Sequence, residues 1–169
     1  RNITAYRLPS LLAGMLAAIA TFWGGITLVG RRPAFLGAMI FGSTILLTTE
    51  AHIAKTDAAL VATVVVAMGA LAWMRSGGGR AMAVLFWVAM AVGVLIKGPI
   101  TPMVAGLAVI LLVVWERRIS WLAPLTFWLG PSLFFIIAAP WFIAVEIATG
   151  GAFLREAIGE DMGQKVIGS

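Results

Sequence analysis

Long runs of apolar residues alternate with short polar or charged connections along this chain. A membrane-spanning helix needs roughly 17–25 mostly apolar residues, and six runs approach or reach that length. They cover residues 8–30, 33–49, 58–74, 81–96, 98–115 and 121–145. The fourth and fifth runs nearly abut, but one continuous helix there would be about twice as long as the bilayer is thick. The pattern therefore predicts an all-α, polytopic membrane bundle over residues 1–145.

The composition agrees with a membrane protein and excludes several other classes. Hydrophobic residues make up 62% of the 169 and charged residues only 11%, whereas a soluble domain is about half apolar and a quarter charged. The absence of cysteine excludes disulfides and thiolate metal sites. The net charge of +5 does not indicate nucleic acid, because the basic residues are scattered and not interleaved with aromatic ones. The lipid bilayer is the expected partner.

Basic residues mark every second connection between the predicted spans. These connections are "GRRP" (30–33), "RSGGGR" (75–80) and "ERRIS" (116–120). By the positive-inside rule they face the cytoplasm. The connections around residues 50–57 and 97–99 then lie on the outer face, as does the segment 146–169. Its partial apolar stripe at helical spacing predicts an amphipathic helix on the outer membrane surface.

The stretch "TEAHIAKTDAAL" places Glu50, His52, Lys55 and Asp57 within eight positions. One interpretation is a short solvated loop in which Thr56 or Asp57 caps the next helix. Another is a polar site, since Lys55 and Asp57 begin a helix whose positive N-terminal dipole favours an anion such as phosphate. Glu50, His52 and Asp57 are also metal-ligand types, but their spacing meets no zinc rule. The sequence therefore assigns no metal and no cofactor, and a divalent ion stays open.

A second candidate is the turn "GVLIKGP", in which Lys97 ends an apolar span. Such a lysine can simply extend its charge to the membrane surface. Gly98, however, lets a ligand approach the backbone closely, and Pro99 suits the first turn of the next helix. Lys97 beside this turn is therefore a candidate phosphate holder on the same face as Asp57.

Taken in order, four segments resemble the membrane part of the GT-C type polyprenyl-phosphate-sugar glycosyltransferases. These are "AYRLPSLLAG" (5–14), "AHIAKTDAAL" (51–60), "GVLIKGP" (93–99) and "FLREAIGEDMGQK" (153–165). In particular they look like glycosyltransferase family 39 and the aminoarabinose transferase of lipid A, in the dolichyl-phosphate-mannose protein mannosyltransferase superfamily. The resemblance implies a multi-pass enzyme of the bacterial inner membrane. It would move a sugar from a polyprenyl-phosphate carrier to a lipid or protein acceptor on the extracytoplasmic face.

The resemblance also implies roles for single residues. Asp57 matches a catalytic aspartate of the second outer loop, and Lys97 matches a basic residue near the carrier phosphate. Lys55 and Gly98, which lie beside them in the chain, are further candidate carrier contacts on their own chemistry. The family's essential acid lies in an earlier outer loop, upstream of Arg1. The chain is thus interpreted as an internal piece of a longer polypeptide, inactive by itself.

Two other classes compete with a transferase. A transporter or permease piece with an outer-face substrate site would also carry charges and Gly/Pro-interrupted spans, and a membrane scaffold would need no chemistry. Transporter sites lie near the bilayer midplane, whereas the charges here flank the apolar runs. No inverted repeat relates the first three spans to the last three. Both observations favour the transferase.

Overall fold

All regular structure is helical in residues 3–44 and 56–149, the parts of the chain that the computed structural model describes. The prediction of an all-α protein is confirmed for these residues. The helices are α1 (Ile3–Val29), α2 (Arg31–Gly42), α3 (Asp57–Arg75), α4 (Gly79–Lys97), α5 (Ile100–Glu116) and α6 (Leu129–Ala148), with a 3₁₀ helix (Ser120–Thr126) between the last two.

Four of the described helices are long and apolar enough to cross a membrane: Leu8–Val29 within α1, and the whole of α3, α4 and α6. The apolar helix α5 has 17 residues, which corresponds to about 26 Å of rise and the lower end of the spanning range. Helix α2 has 12 residues. The described residues thus establish four spanning candidates, and the predicted count of six is not established.

Successive helices reverse direction, so that the bundle has two distinct ends. Gly25 lies against Ala34 and Ala18 against Gly42, so α1 and α2 are antiparallel. Gly24 contacts Gly69, and each lies near the C-terminal end of its helix, as expected if α1 and α3 are parallel. One end carries the connections with Arg31, Arg32, Arg75, Arg80, Arg117 and Arg118; we call it the arginine end. The opposite end carries the first residue of α3 and the last residue of α4; we call it the Asp57–Lys97 end.

The core lies between α3 and α4 and consists largely of small side chains. Ala67, Ala70, Ala83 and Ala89 are buried there around Phe86. Without a large hydrophobic driving force in lipid, close approach of helices relies on such small residues. The backbones of α1 and α3 come closest where Gly24 meets Gly69, because a methyl group on Gly24 would lie 2.7 Å from the Gly69 Cα atom.

Large apolar side chains cover the outside of the described bundle. Helix α1 exposes Leu12 and Ile19, and α5 and α6 expose Leu107, Ile110 and Ile136. A soluble monomer rarely exposes apolar patches of this extent. The exposed surface therefore fits contact with lipid.

The region predicted as a sixth span, 121–145, is divided between two elements. A 3₁₀ helix occupies Ser120–Thr126, and α6 begins only at Leu129. Pro124 and Pro131 account for the division, because proline lacks an amide hydrogen and is tolerated in an α-helix mainly in the first turn, where Pro131 lies. Beyond residue 149, the predicted amphipathic helix falls outside the described residues.

Candidate functional site

The hairpin of α3 and α4 positions the two residues that define the candidate site. Each helix has 19 residues, and a short turn, Ser76–Gly78, joins them at the arginine end. Because two antiparallel helices of equal length begin and end at the same level, the first residue of α3 lies beside the last residue of α4. These residues are Asp57 and Lys97.

Lys97 donates a hydrogen bond from its Nζ atom to Oδ1 of Asp57, and the two side chains form an ion pair. The Lys97 side chain is 47% exposed and that of Asp57 is 32% exposed. An ion pair this accessible to water contributes little to stability, typically about 0–1 kcal/mol. A competing anion could therefore replace Asp57 as the partner of Lys97 with little loss of stability.

The turn after Lys97 requires glycine. Gly98 has a φ of +69° and donates its amide hydrogen to the carbonyl of Val94 at 2.9 Å. This conformation is easily adopted by glycine and strained for other residues. Pro99 then occupies the N-cap position of α5, so the chain reverses within two residues.

The N-termini of α3 and α5 lie at the Asp57–Lys97 end, as does that of α1. Their first amide hydrogens lack partners within the helix and carry a partial positive charge. Thr56 occupies the N-cap position of α3 but makes no side-chain cap hydrogen bond, so capping by Thr56 is not observed. These partial charges and the Lys97 ammonium lie beside the Asp57 carboxylate, and Glu146 in the last turn of α6 is a second carboxylate at this end.

The structure brings together some of the predicted site residues and does not describe others. Asp57, Lys97 and Gly98 are neighbours, although 40 residues separate the first two along the chain. Glu50, His52 and Lys55 lie outside the described residues, so their places in the site stay predictions. Among the residues that the structure does describe, no group of three His, Asp or Glu could hold a metal ion. The metal hypothesis, which needs Glu50 and His52, is untested.

A second ion pair was not anticipated from the sequence. At the arginine end, Arg75 binds Oε1 of Glu116 through its Nη2 atom. Sequence reasoning treated Arg75 as a marker of orientation and gave Glu116 no role. Arg75 is the last residue of α3 and Glu116 is the last residue of α5, so both lie at the arginine end. Their opposite charges at the same end of the bundle could have indicated the pair.

The comparisons with known proteins point to one family. A family model described as dolichyl-phosphate-mannose-protein mannosyltransferase matches residues 1–151, and the match includes the whole α3–α4 hairpin with Asp57 and Lys97. No curated protein and no solved structure shows a significant match to the chain.

Proposed function

Because the chain belongs to the dolichyl-phosphate-mannose-protein mannosyltransferase family, and so is a membrane glycosyltransferase of the GT-C kind, we propose that it takes a sugar from a polyprenyl-phosphate carrier. The acceptor in this proposal is a lipid or a protein on the extracytoplasmic face of a bacterial inner membrane. Family 39 and the aminoarabinose transferases are the subtypes it would join. The observation that supports the site is the pairing of Asp57 with Lys97.

The orientation follows from the distribution of charge. Six arginines, in three connections, lie at the arginine end, and loops rich in Arg and Lys favour the cytoplasm. The Asp57–Lys97 end then faces outward, where the carrier presents its sugar. In α2 to α6 every charged residue lies in the first or last turn of a helix. That placement suits a surface site better than a transporter site at the bilayer midplane.

The chemistry divides between the two partners of the ion pair. Breaking the bond between sugar and phosphate leaves negative charge on the departing phosphate, and a fixed cation stabilises that charge. In the proposal Lys97 supplies the cation, and Gly98 allows the phosphate to approach the turn. Lys55 would add a second positive charge.

Asp57 acts on the other side of the reaction. Once the phosphate binds Lys97, the carboxylate is no longer held by the ammonium and can accept a hydrogen bond from the sugar or from the acceptor hydroxyl or amine. Glu50 and His52 are proposed as further polar contacts of the same site. A carboxylate from an earlier outer loop would serve as the general base, which Asp57 would influence by its negative charge.

Binding of the carrier phosphate tests the role of Lys97. The full-length protein in nanodiscs would be titrated with undecaprenyl phosphate and followed by native mass spectrometry. We expect Lys97→Ala to weaken binding roughly 10- to 150-fold, the value of one charge-assisted hydrogen bond of about 1.5–3 kcal/mol. Arg75→Gln is the matched control, because it removes a cation of similar exposure, 42% against 47%, from the other ion pair. Equal binding by the wild type, Lys97→Ala and Arg75→Gln would show that Lys97 does not bind the carrier phosphate.

Measurement of sugar transfer distinguishes the proposed role of Asp57 from that of Lys97. In Asp57→Asn the lysine loses its competing carboxylate, so carrier phosphate should bind as tightly as in the wild type or more tightly. Sugar transfer should nevertheless fall by at least about 100-fold, in the range typical of lost general acid–base or positioning groups. Normal transfer by Asp57→Asn would show that the carboxylate has no catalytic part. Uptake of a solute into vesicles, with no dependence on a polyprenyl-phosphate sugar, would instead support a transporter.

A further inference from the structure

A polar cavity lies at the arginine end, at the opposite end of the bundle from Asp57 and Lys97. Its volume is about 560 Å³, a size common among ligand pockets. It is lined by side chains from the end of α3, the end of α5 and the start of the 3₁₀ helix: Arg75, Trp115, Glu116, Arg118, Ser120 and Trp121. Neither the proposed reaction nor the family assignment uses this cavity.

The cavity has an excess of positive charge. Arg75 is neutralised by Glu116, whose side chain is only 18% exposed. Arg118 is exposed, and no carboxylate among the described residues lies within ion-pair distance of it. The lining therefore holds two guanidinium groups and one carboxylate, with Arg118 available to an anion. The fixed planar donors of arginine match phosphate oxygens well.

Local structure holds Arg118 at the cavity. Arg117 follows the last residue of α5 as its C-cap and has a left-handed conformation with φ +51°, so the chain turns sharply just before Arg118. The Trp121 indole then donates its Nε1 hydrogen to the Arg118 carbonyl at 3.2 Å. Trp121 is itself packed against the core, which anchors the backbone of Arg118 to the bundle.

Apolar side chains beside the cavity indicate that its ligand carries hydrocarbon. Trp115, which lines the cavity, is 88% exposed, and Val114 and Ile119, which adjoin lining residues along the chain, are each 69% exposed. Tryptophan concentrates at the level of lipid headgroups, with its ring partly among the acyl chains. Cationic cavities at the cytoplasmic ends of spanning helices are suited to anionic headgroups. A free phosphate ion would gain nothing from this apolar border.

We propose that this cavity binds the phosphate headgroup of an anionic glycerophospholipid from the adjacent leaflet. The phosphodiester contacts Arg118 and the Ser120 hydroxyl, while the glycerol and the first acyl carbons lie against Trp115. The inference rests on the position of the cavity at a membrane surface. It does not depend on sugar transfer, and Lys97→Ala, which tests the donor site, should leave lipid binding at this end unchanged.

Native mass spectrometry of the detergent-solubilised full-length protein tests the proposal. Titration with phosphatidylglycerol should show a bound lipid that phosphatidylcholine, with a zwitterionic headgroup, does not replace. Arg118→Gln should weaken that binding about fivefold, in line with the effect of one basic residue on an anionic lipid. Arg117→Gln is the matched control, since it removes the same charge from the adjacent residue outside the cavity, and its affinity should equal that of the wild type.

Glu116→Gln should have the opposite effect on lipid affinity from Arg118→Gln. Removal of the carboxylate leaves Arg75 free to bind the anion, so phosphatidylglycerol should bind more tightly. If Arg117→Gln weakens binding as much as Arg118→Gln, the attraction is a diffuse surface effect and the proposed site is overturned. Inorganic phosphate at millimolar concentration should not displace the lipid; full displacement would show a simple anion site and would also overturn the proposal.

Discussion

Replacement of Gly24 by alanine tests how closely α1 and α3 pack. A methyl group on Gly24 would lie 2.7 Å from the Cα atom of Gly69, whereas ordinary contact begins at 3.4 Å. The obstacle is backbone, which cannot move aside as a flexible side chain can. The two helices must therefore separate by about 0.7 Å at this point, an overpacking that typically costs about 1–3 kcal/mol.

Separation of the helices has a second cost nearby. The Trp73 indole donates its Nε1 hydrogen to the Trp23 carbonyl at 3.1 Å, and the two rings stack with centroids 6.0 Å apart. A shift of about 0.7 Å lengthens that hydrogen bond beyond useful range and removes about 1 kcal/mol. Alanine gains about 1 kcal/mol over glycine in helix propensity. The two smaller effects roughly cancel, so that Gly24→Ala should lose about 1–3 kcal/mol in the free energy of unfolding.

Gly106→Ala is the matched control. Gly106 lies within α5, and a methyl group there would meet nothing within 4 Å. Helix propensity alone then acts, and stability should rise by up to about 1 kcal/mol. Both variants of the full-length protein would be unfolded by titration with sodium dodecyl sulfate and followed by circular dichroism. If Gly24→Ala is as stable as Gly106→Ala, the close backbone approach of α1 and α3 is refuted.

Three further predictions concern single side chains. Thr101 is fully buried against Gly93, and its hydroxyl has no hydrogen-bond partner among the described residues. Thr101→Val should therefore raise the free energy of unfolding by about 1 kcal/mol, and a loss of stability would show that the hydroxyl has a partner. The Trp87 indole donates its Nε1 hydrogen to the Leu125 carbonyl at 3.1 Å. Trp87→Phe should lower the free energy of unfolding by about 1–2 kcal/mol and speed amide hydrogen exchange in residues 120–126, and unchanged exchange there would contradict the prediction. Because the ion pair of Asp57 is partly exposed, Asp57→Asn should change stability by less than about 1 kcal/mol, and a larger loss in the same titration would mean that the pair is structural.

Hydropathy predicts helices best where charged residues delimit them. The runs 58–74 and 81–96 are bounded by Asp57, Arg75, Arg80 and Lys97, and the structure has helices Asp57–Arg75 and Gly79–Lys97 at these places. Between residues 120 and 145 no charge marks a boundary, since the 3₁₀ helix and α6 are both apolar. There the backbone properties of proline decide where the α-helix begins, and a hydropathy window does not detect them.

The candidate site was partly accessible from the sequence. Alternation of spans places residues 57 and 97 on one face of the membrane, but their direct contact depends on α3 and α4 having equal length. The contact between Arg75 and Glu116 joins helices that are not consecutive in the chain. Such a contact depends on how α5 packs against α3, which local pattern does not determine.

The close contact of Gly24 with Gly69 also has a mechanical consequence, because it divides α3 unequally. Gly69 lies twelve residues from Asp57 and six from Arg75, which corresponds to lever arms of about 18 Å and 9 Å. A tilt of α3 about this fulcrum therefore moves the Asp57 end twice as far as the Arg75 end. A rotation of only about 3° displaces Asp57 by about 1 Å on the longer arm and Arg75 by about 0.5 Å on the shorter one.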